Sequence, residues 1–311
     1  MTYLAFEDQG ECYLLVDSAA IERHPLFFAN LLSSCVSAVD MNGERLDALS
    51  IWQAVNTGHW LTLLARYQTL VVTPVLQHFL RPGVMAIKQS SSRQDGVSTI
   101  FYECDGKGWV MKLSQAQAKS GELVLLGEPI HPGMAYDIYL RQLAARGDFT
   151  AWRHEVKRFI SAVFKQFALS GGYLQGAAID AVARNAVLSE QGDIAFFDLE
   201  CSEYTTPSKT FFIYRLCCSF EGRNPSYLNG SGFTCRYEIY RYLCAHFTLN
   251  ASDYVKDVQR EAAFQAWVSG QPVKKIKYFK GLQPFVPQQR ASQKMRRLLH
   301  AFRLLVLRCC T

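Results

Sequence analysis

Between residues 149 and 169 the residues Phe149, Trp152, Val156, Phe159, Ile160, Val163, Phe164 and Phe167 recur at steps of three and four. That spacing lays one apolar stripe along a helix, which Ser170-Gly171-Gly172 would stop. Elsewhere the pattern is that of strands. "YLAFEDQGECYLLV" (3–16) reads as strand, Gly-centred turn and strand. "STIFYECDGKGWVMKL" (98–113) sets two β-rich runs around Asp105-Gly106, a hairpin turn pair. "ELVLLGEPI" (122–130) predicts a buried strand leading into a bend, and "SSSRQDG" (90–96) a linker. Helical intervals return over 25–80 and in three segments before Gly270. The order of elements predicts an α+β protein.

One stretch does not suit a plain buried hairpin. "NAVLSEQGDIAFFDLE" (185–200) has an apolar run, a Gly-containing turn and a second apolar run. Pairing those runs brings Asn185 and Asp198 to the same mouth. Asp180 lies five residues before Asn185, on the loop after the long helix. Asp198 stands among Phe196, Phe197 and Leu199, where an unpaired carboxylate costs several kcal/mol.

The Asp180-x-x-x-x-Asn185 spacing, with Asp198 thirteen residues on across a hairpin, resembles the catalytic core of the protein-kinase-like fold. The resemblance implies a bilobal fold with a reduced N-lobe and a helical C-lobe. It implies Asp180 as the base that accepts the acceptor hydroxyl's proton, and Asn185 and Asp198 as Mg²⁺ ligands against the phosphates of ATP. Glu200 would be an auxiliary metal ligand, the alternative being a salt bridge to Arg215 or Arg184. Lys112 in "GWVMKL" would contact phosphate, with Lys88 in "GVMAIK" as a second candidate. "LLGEPI" (125–130), containing Glu128, would be the hinge at the nucleotide. Asp180→Ala is accordingly expected to cost rate and not stability.

Departures narrow the family. Ala178-Ile179 stands where protein kinases carry His-Arg, the DFG triplet is Asp198-Leu199-Glu200, and there is no G-x-G-x-x-G loop. The D-x-E ending resembles kinases of small molecules and sugars, such as choline kinases and aminoglycoside phosphotransferases. "IDAVARNAVLSEQGDIAFFDLE", with "TFFIYRLCCSF" and "REAAFQAWVSG", is similar to the kinase module of bacterial methyltransferase/kinases that cap O-antigen polysaccharide. That likeness spans roughly residues 97–270 and includes no methyltransferase half. It implies a sugar or polysaccharide acceptor, with polysaccharide-synthesis enzymes as partners. Two other readings stay open: a pseudokinase that binds a partner, and a cytosolic small-molecule kinase.

Charge adds a further region. The 311 residues hold 33 Lys and Arg against 27 Asp and Glu. Ten of the basic residues and none of the acidic ones fall after Gly270, leaving 23 against 27 before it. In 271–311, Met295, Leu298, Leu299, Phe302, Leu305 and Val306 form one helical stripe with Lys294, Arg296, Arg297 and Arg303 mostly off it. A basic amphipathic tail of this kind suits an anionic membrane surface, placing the protein in the cytoplasm, peripheral on the inner face of the membrane. Few aromatics interleave with these basic residues, so no nucleic-acid partner is expected. No signal peptide or spanning helix is expected. The ten cysteines form no CxxC and the seven histidines are scattered, which predicts reduced thiols and no structural zinc. The regions are then 1–96, without an assigned role unless part of the N-lobe; 97–126, N-lobe strands; 127–270, C-lobe; and 271–311, tail.

Overall fold

Asp17 ends one strand and begins the first helix, its Oδ1 accepting a hydrogen bond from the Ala19 N–H at 3.1 Å in the computed structural model. The structure describes residues 3–8, 11–35, 46–58, 83–90, 97–113, 127–199, 201, 204–221, 228 and 230–270. The tail and Glu200 lie outside the described residues. So do the linker from 91 to 96 and the first part of the strand expected over 122–130.

Strands β1 (Tyr3–Asp8), β2 (Glu11–Asp17), β3 (Val84–Ser90), β4 (Val97–Cys104), β5 (Lys107–Leu113) and β6 (Glu128–Pro129) form one antiparallel sheet in sequence order. The β4–β5 turn holds Asp105 at φ 53° and Gly106 at φ 69°, as a two-residue hairpin loop of the primed type requires. Helices α1 (Ser18–Arg23), α2 (Pro25–Cys35) and α3 (Ala48–Asn56) follow β2. Phe28, Leu32, Trp52 and Val55 from these helices share a core with Leu14, Val16, Ala86 and Phe101 of the sheet. Strands from 3–17 and 84–90 are therefore part of the same layer as 97–113. The sequence pattern shows the strands over 3–16 and 98–113 but assigns none over 84–90, and it does not show this pairing. The buried strand expected over 122–130 survives, among the described residues, as two exposed residues at the sheet edge. Pro129 is tolerated there because an edge position does not need its missing N–H.

The chain then makes β7 (Met134–Ala135), α4 (Tyr136–Ala145) and α5 (Phe149–Gln166). Asp148 caps α5 through the Ala151 N–H at 2.9 Å. Trp152, Val156, Phe159, Ile160 and Val163 are buried, as the stripe predicts. The helix ends three residues short of the pattern, and the Leu169 N–H bonds to the Tyr173 carbonyl in the returning loop. β8 (Ala186–Leu188) and β9 (Ile194–Phe196) complete a second antiparallel sheet, β7-β8-β9. α6 (Lys209–Glu221), α7 (Arg236–His246) and α8 (Tyr254–Ser269) follow, and Gly270 closes α8 at φ 65°. Phe212, Leu216, Tyr240 and Leu243 pack with α5 in a second core.

Asn30 of α2 joins the two parts. Its Nδ2 donates to the Gly133 carbonyl at 2.9 Å, while its Oδ1 accepts from the Ala135 N–H at 3.0 Å and from Trp52 Nε1 at 2.9 Å. α4 is shared: Ile138 belongs to the first core and Tyr136 to the second. The architecture is mixed α+β with antiparallel sheets. Among the described residues no helix is long and apolar enough to cross a membrane. Cys104, Cys201, Cys217, Cys218, Cys235 and Cys244 are free thiols.

Candidate functional site

Two short turns precede the β8–β9 hairpin, Gly176–Asp180 and Ala183–Asn185. The Asp180 carbonyl accepts from the Val182 N–H at 2.7 Å and from Asn185 Nδ2 at 2.9 Å. This fixes the five-residue spacing as one folded loop. Because the amide's N–H is used inward, Asn185 Oδ1 is the free end, and it has no hydrogen-bond partner among the described residues. The Phe197 N–H donates to the Asn185 carbonyl at 3.0 Å, so the backbone on either side of Asp198 and Asn185 is tied across the hairpin mouth.

Asp198 itself has φ 60°, in the left-handed region that residues other than Gly, Asn and Asp seldom adopt. The residue is held there from two directions. Lys112 Nζ of β5 forms an ion pair with Asp198 Oδ1, and Glu128 Oε2 of β6 accepts the Asp198 N–H at 3.2 Å. Lys112 and Asp198 keep 27% and 36% of their side-chain surface exposed, so the pair is open to solvent. Lys88 pairs with Thr99, which pairs with Lys112. The two lysines thus face the same way two strands apart, roughly 10 Å at the usual strand spacing. Of the two, Lys112 is the one that reaches Asp198.

Asp180 is placed differently from a carboxylate waiting for a substrate. It is buried, with 7% of its surface exposed. Its Oδ2 accepts from the Cys201 N–H at 2.7 Å and its Oδ1 from Arg215 Nη2 at 3.2 Å. Arg215 is itself buried on α6; its Nε donates to the Ile179 carbonyl and its Nη1 pairs with Glu261 of α8 at 3.0 Å. The guanidinium also stacks 3.9 Å from the Phe264 ring centroid. A carboxylate offers about four lone-pair sites, so two accepted bonds leave capacity for a substrate hydroxyl. The chain Asp180, Arg215, Glu261 was not part of the site read from sequence. Its signal was there, since Arg215 is the one charge in "TFFIYRLCCSF".

The oxygen donors fit a hard cation. Mg²⁺ takes one or two carboxylates and completes its shell with phosphate and water, so it needs no all-protein cage. Asn185 Oδ1 and the Asp198 carboxylate supply such donors at one mouth. Among the described residues no group of three or more His, Cys, Asp or Glu side chains gathers as a metal cage. With Arg215 engaged by Asp180 and Glu261, the alternative of a Glu200–Arg215 bridge would have to compete with two carboxylates.

Of the residues picked from sequence, Lys112, Glu128 and Asp198 thus converge directly, and Asp180 and Asn185 form one loop beside them. No family model matches the chain, and no curated protein and no solved structure matches it either.

Proposed function

We propose that the protein is a kinase-like phosphotransferase that moves the γ-phosphoryl of ATP to a sugar hydroxyl, on a surface polysaccharide or its glycolipid precursor. In this reading the β1–β6 sheet with α1–α3 is the nucleotide-side lobe, and the body from β7 to α8 is the other. The observation that carries it is the meeting of Lys112 and Glu128 from the sheet with Asp198, at the hairpin mouth that also holds Asn185 and the Asp180 loop.

Chemically the roles divide as follows. Asn185 Oδ1 and Asp198 would hold Mg²⁺, which supplies charge neutralisation at the β- and γ-phosphates. Lys112, a mobile point charge, would exchange its bond to Asp198 for one to phosphate. Glu128 holds the Asp198 backbone at its left-handed φ and so would orient the carboxylate. Asp180 would accept the acceptor's proton, with Arg215 holding it in place. Glu200, outside the described residues, would be the auxiliary ligand. The basic tail, likewise outside them, would hold the protein to the anionic inner face of the membrane beside polysaccharide-synthesis enzymes.

The engaged state of Asp180 favours a second reading, a pseudokinase that binds nucleotide or partner without turnover. Nucleotide affinity in Mg²⁺ and in EDTA, with ³²P transfer to a panel of sugars and glycolipids, separates the two. Mg²⁺-dependent binding with transfer supports the phosphotransferase. Equal binding in both, with no transfer, supports the pseudokinase.

A further inference from the structure

The segment after Asp198 borders a cavity of about 420 Å³ that none of the roles above uses. Tyr173, Tyr204, Thr205, Thr206, Ser208 and Arg260 line it, and its volume falls at the lower end of the roughly 300–1,000 Å³ of small-ligand sites. It is built rather than incidental. The Leu174 N–H donates to the Pro207 carbonyl at 2.9 Å and Tyr173 bridges to Ser208, which fixes two walls against each other. Gly171 and Gly172, at φ 70° and 81°, make the bend that presents Tyr173 with 48% of its surface exposed. On the far wall Arg260 Nη1 is held by Asp257 Oδ1 at 2.9 Å and Ser208 Oγ at 3.2 Å. Its Nε and Nη2 have no hydrogen-bond partner among the described residues.

The chemistry of these walls selects a ligand. The Arg260 charge is already balanced by the fully buried Asp257, so the cavity is no trap for a bare anion. Exposed Thr205 and Thr206 add hydroxyls that both donate and accept. Tyr173 offers a flat apolar face, and Tyr204, whose ring lies 5.1 Å from that of Trp267, extends an aromatic ledge. A flat ring for C–H faces, with neutral donors and acceptors at its rim, matches a pyranose and not a phosphate or an aliphatic chain.

Position relates the cavity to the site. Phe211, its floor, packs in one cluster with Ile179, the neighbour of Asp180, and with Cys201, whose N–H binds the Asp180 carboxylate. We infer that this cavity binds a neutral sugar residue of the acceptor and presents the chain to the Asp180 loop. The inference rests on the phosphotransferase reading only for what happens to the bound sugar; the binding itself does not need it.

The test is saturation-transfer NMR on the full chain with maltotriose, mannotriose and N,N′-diacetylchitobiose, each with and without Mg·ATP. At least one saccharide should bind through its ring C–H protons. Tyr173→Ala, at a half-exposed ring that the fold does not bury, should weaken that binding tenfold or more, and Arg260→Gln should do the same. Val255→Ser, exposed on the same helix α8, should leave it unchanged. Nucleotide affinity should stay within twofold in Tyr173→Ala. Saccharide binding that needs Tyr173 in a protein that never binds ATP would uphold the cavity and sink the phosphotransferase reading. ATP turnover with no binding of any of the three saccharides, or with binding that Tyr173→Ala does not alter, overturns the inference. Displacement of bound saccharide by inorganic phosphate would also overturn it, since the cavity would then be an anion site.

Discussion

Lys112 and Asp198, 86 positions apart in the chain, form an ion pair that closes the sheet onto the β8–β9 hairpin. Both side chains are partly exposed, so the pair contributes at most about 1 kcal/mol to stability. Its interest lies in what each partner would do once the other is withdrawn by a nucleotide and its cation.

Asp198→Asn should therefore remove the Mg²⁺-dependent part of ATP binding while shifting the melting temperature little. A neutral amide is a poor ligand for a cation that prefers anionic oxygen. Lys112→Met should instead weaken ATP in Mg²⁺ and in EDTA alike, because on the proposed reading its contact would be with phosphate. Calorimetric titration of the two variants checks this. An Asp198→Asn protein that still gains affinity from Mg²⁺ would remove the metal role from that residue.

At position 180 the structure changes the expectation drawn from sequence. Asp180→Ala should cost stability as well as rate, about 3–5 kcal/mol on the scale for breaking a buried ion pair, because Arg215 loses one of its two carboxylates. Asp180→Asn keeps an acceptor for the Cys201 N–H and should lose less. Its phosphoryl transfer should still fall about 10²-fold or more if position 180 is the base. Urea unfolding beside turnover measurements separates the two effects, and wild-type turnover in Asp180→Asn would end the assignment.

Gly133→Ala should destabilise the junction before β7. Gly133 has φ 139°, and an added Cβ would lie 2.3 Å from the Leu188 carbonyl oxygen and 2.5 Å from Val187 Cγ1. Strain and clash together should lower stability by about 2 kcal/mol or more. Thermal unfolding of the variant, followed by circular dichroism, is the check.

Burial pushes the Cys218 thiol up to about 12 and the Cys244 thiol up to about 11, and raises Cys217 well above the usual range. Alkylation of the native protein at pH 8.5, mapped by mass spectrometry, should modify exposed Cys104 and spare these three. The sign for stability follows. A raised pKa means the contribution is whole below the ordinary thiol value and is lost as pH climbs from there towards the folded values, so alkaline weakening should set in above about pH 9 and level off past the folded values. Cys244→Ser should change that alkaline slope. Rapid labelling of Cys217 at pH 8.5 would contradict the burial.

The long helix, the three hairpins and the placement of Asp180, Asn185 and Asp198 around one hairpin mouth were legible because each rests on local spacing. What was not legible is non-local. Lys112 and Glu128 could be ranked by sequence only through a family likeness, while their meeting at Asp198 depends on how a six-stranded sheet sits over a hairpin. The hold of Arg215 on Asp180 depends on α6 passing behind the loop, and the 173–208 cavity on a bridge between two loops of no marked pattern. The helices Pro25–Cys35 and Ala48–Asn56 fall within the stretch 25–80 read as helical, yet nothing in their periodicity tells that Asn30 ties them to Gly133 and Ala135.

The sheet order bears on how this chain can be cut. A fragment starting at residue 97, where the resemblance read from the sequence begins, would keep β4 to β6 but lose the strand and helices that cover them. Phe101 would face water, and β4 would become a bare edge ready to pair with a second copy. A fragment meant to keep this sheet and its core must therefore include β1 to β3 and the helices α1 to α3.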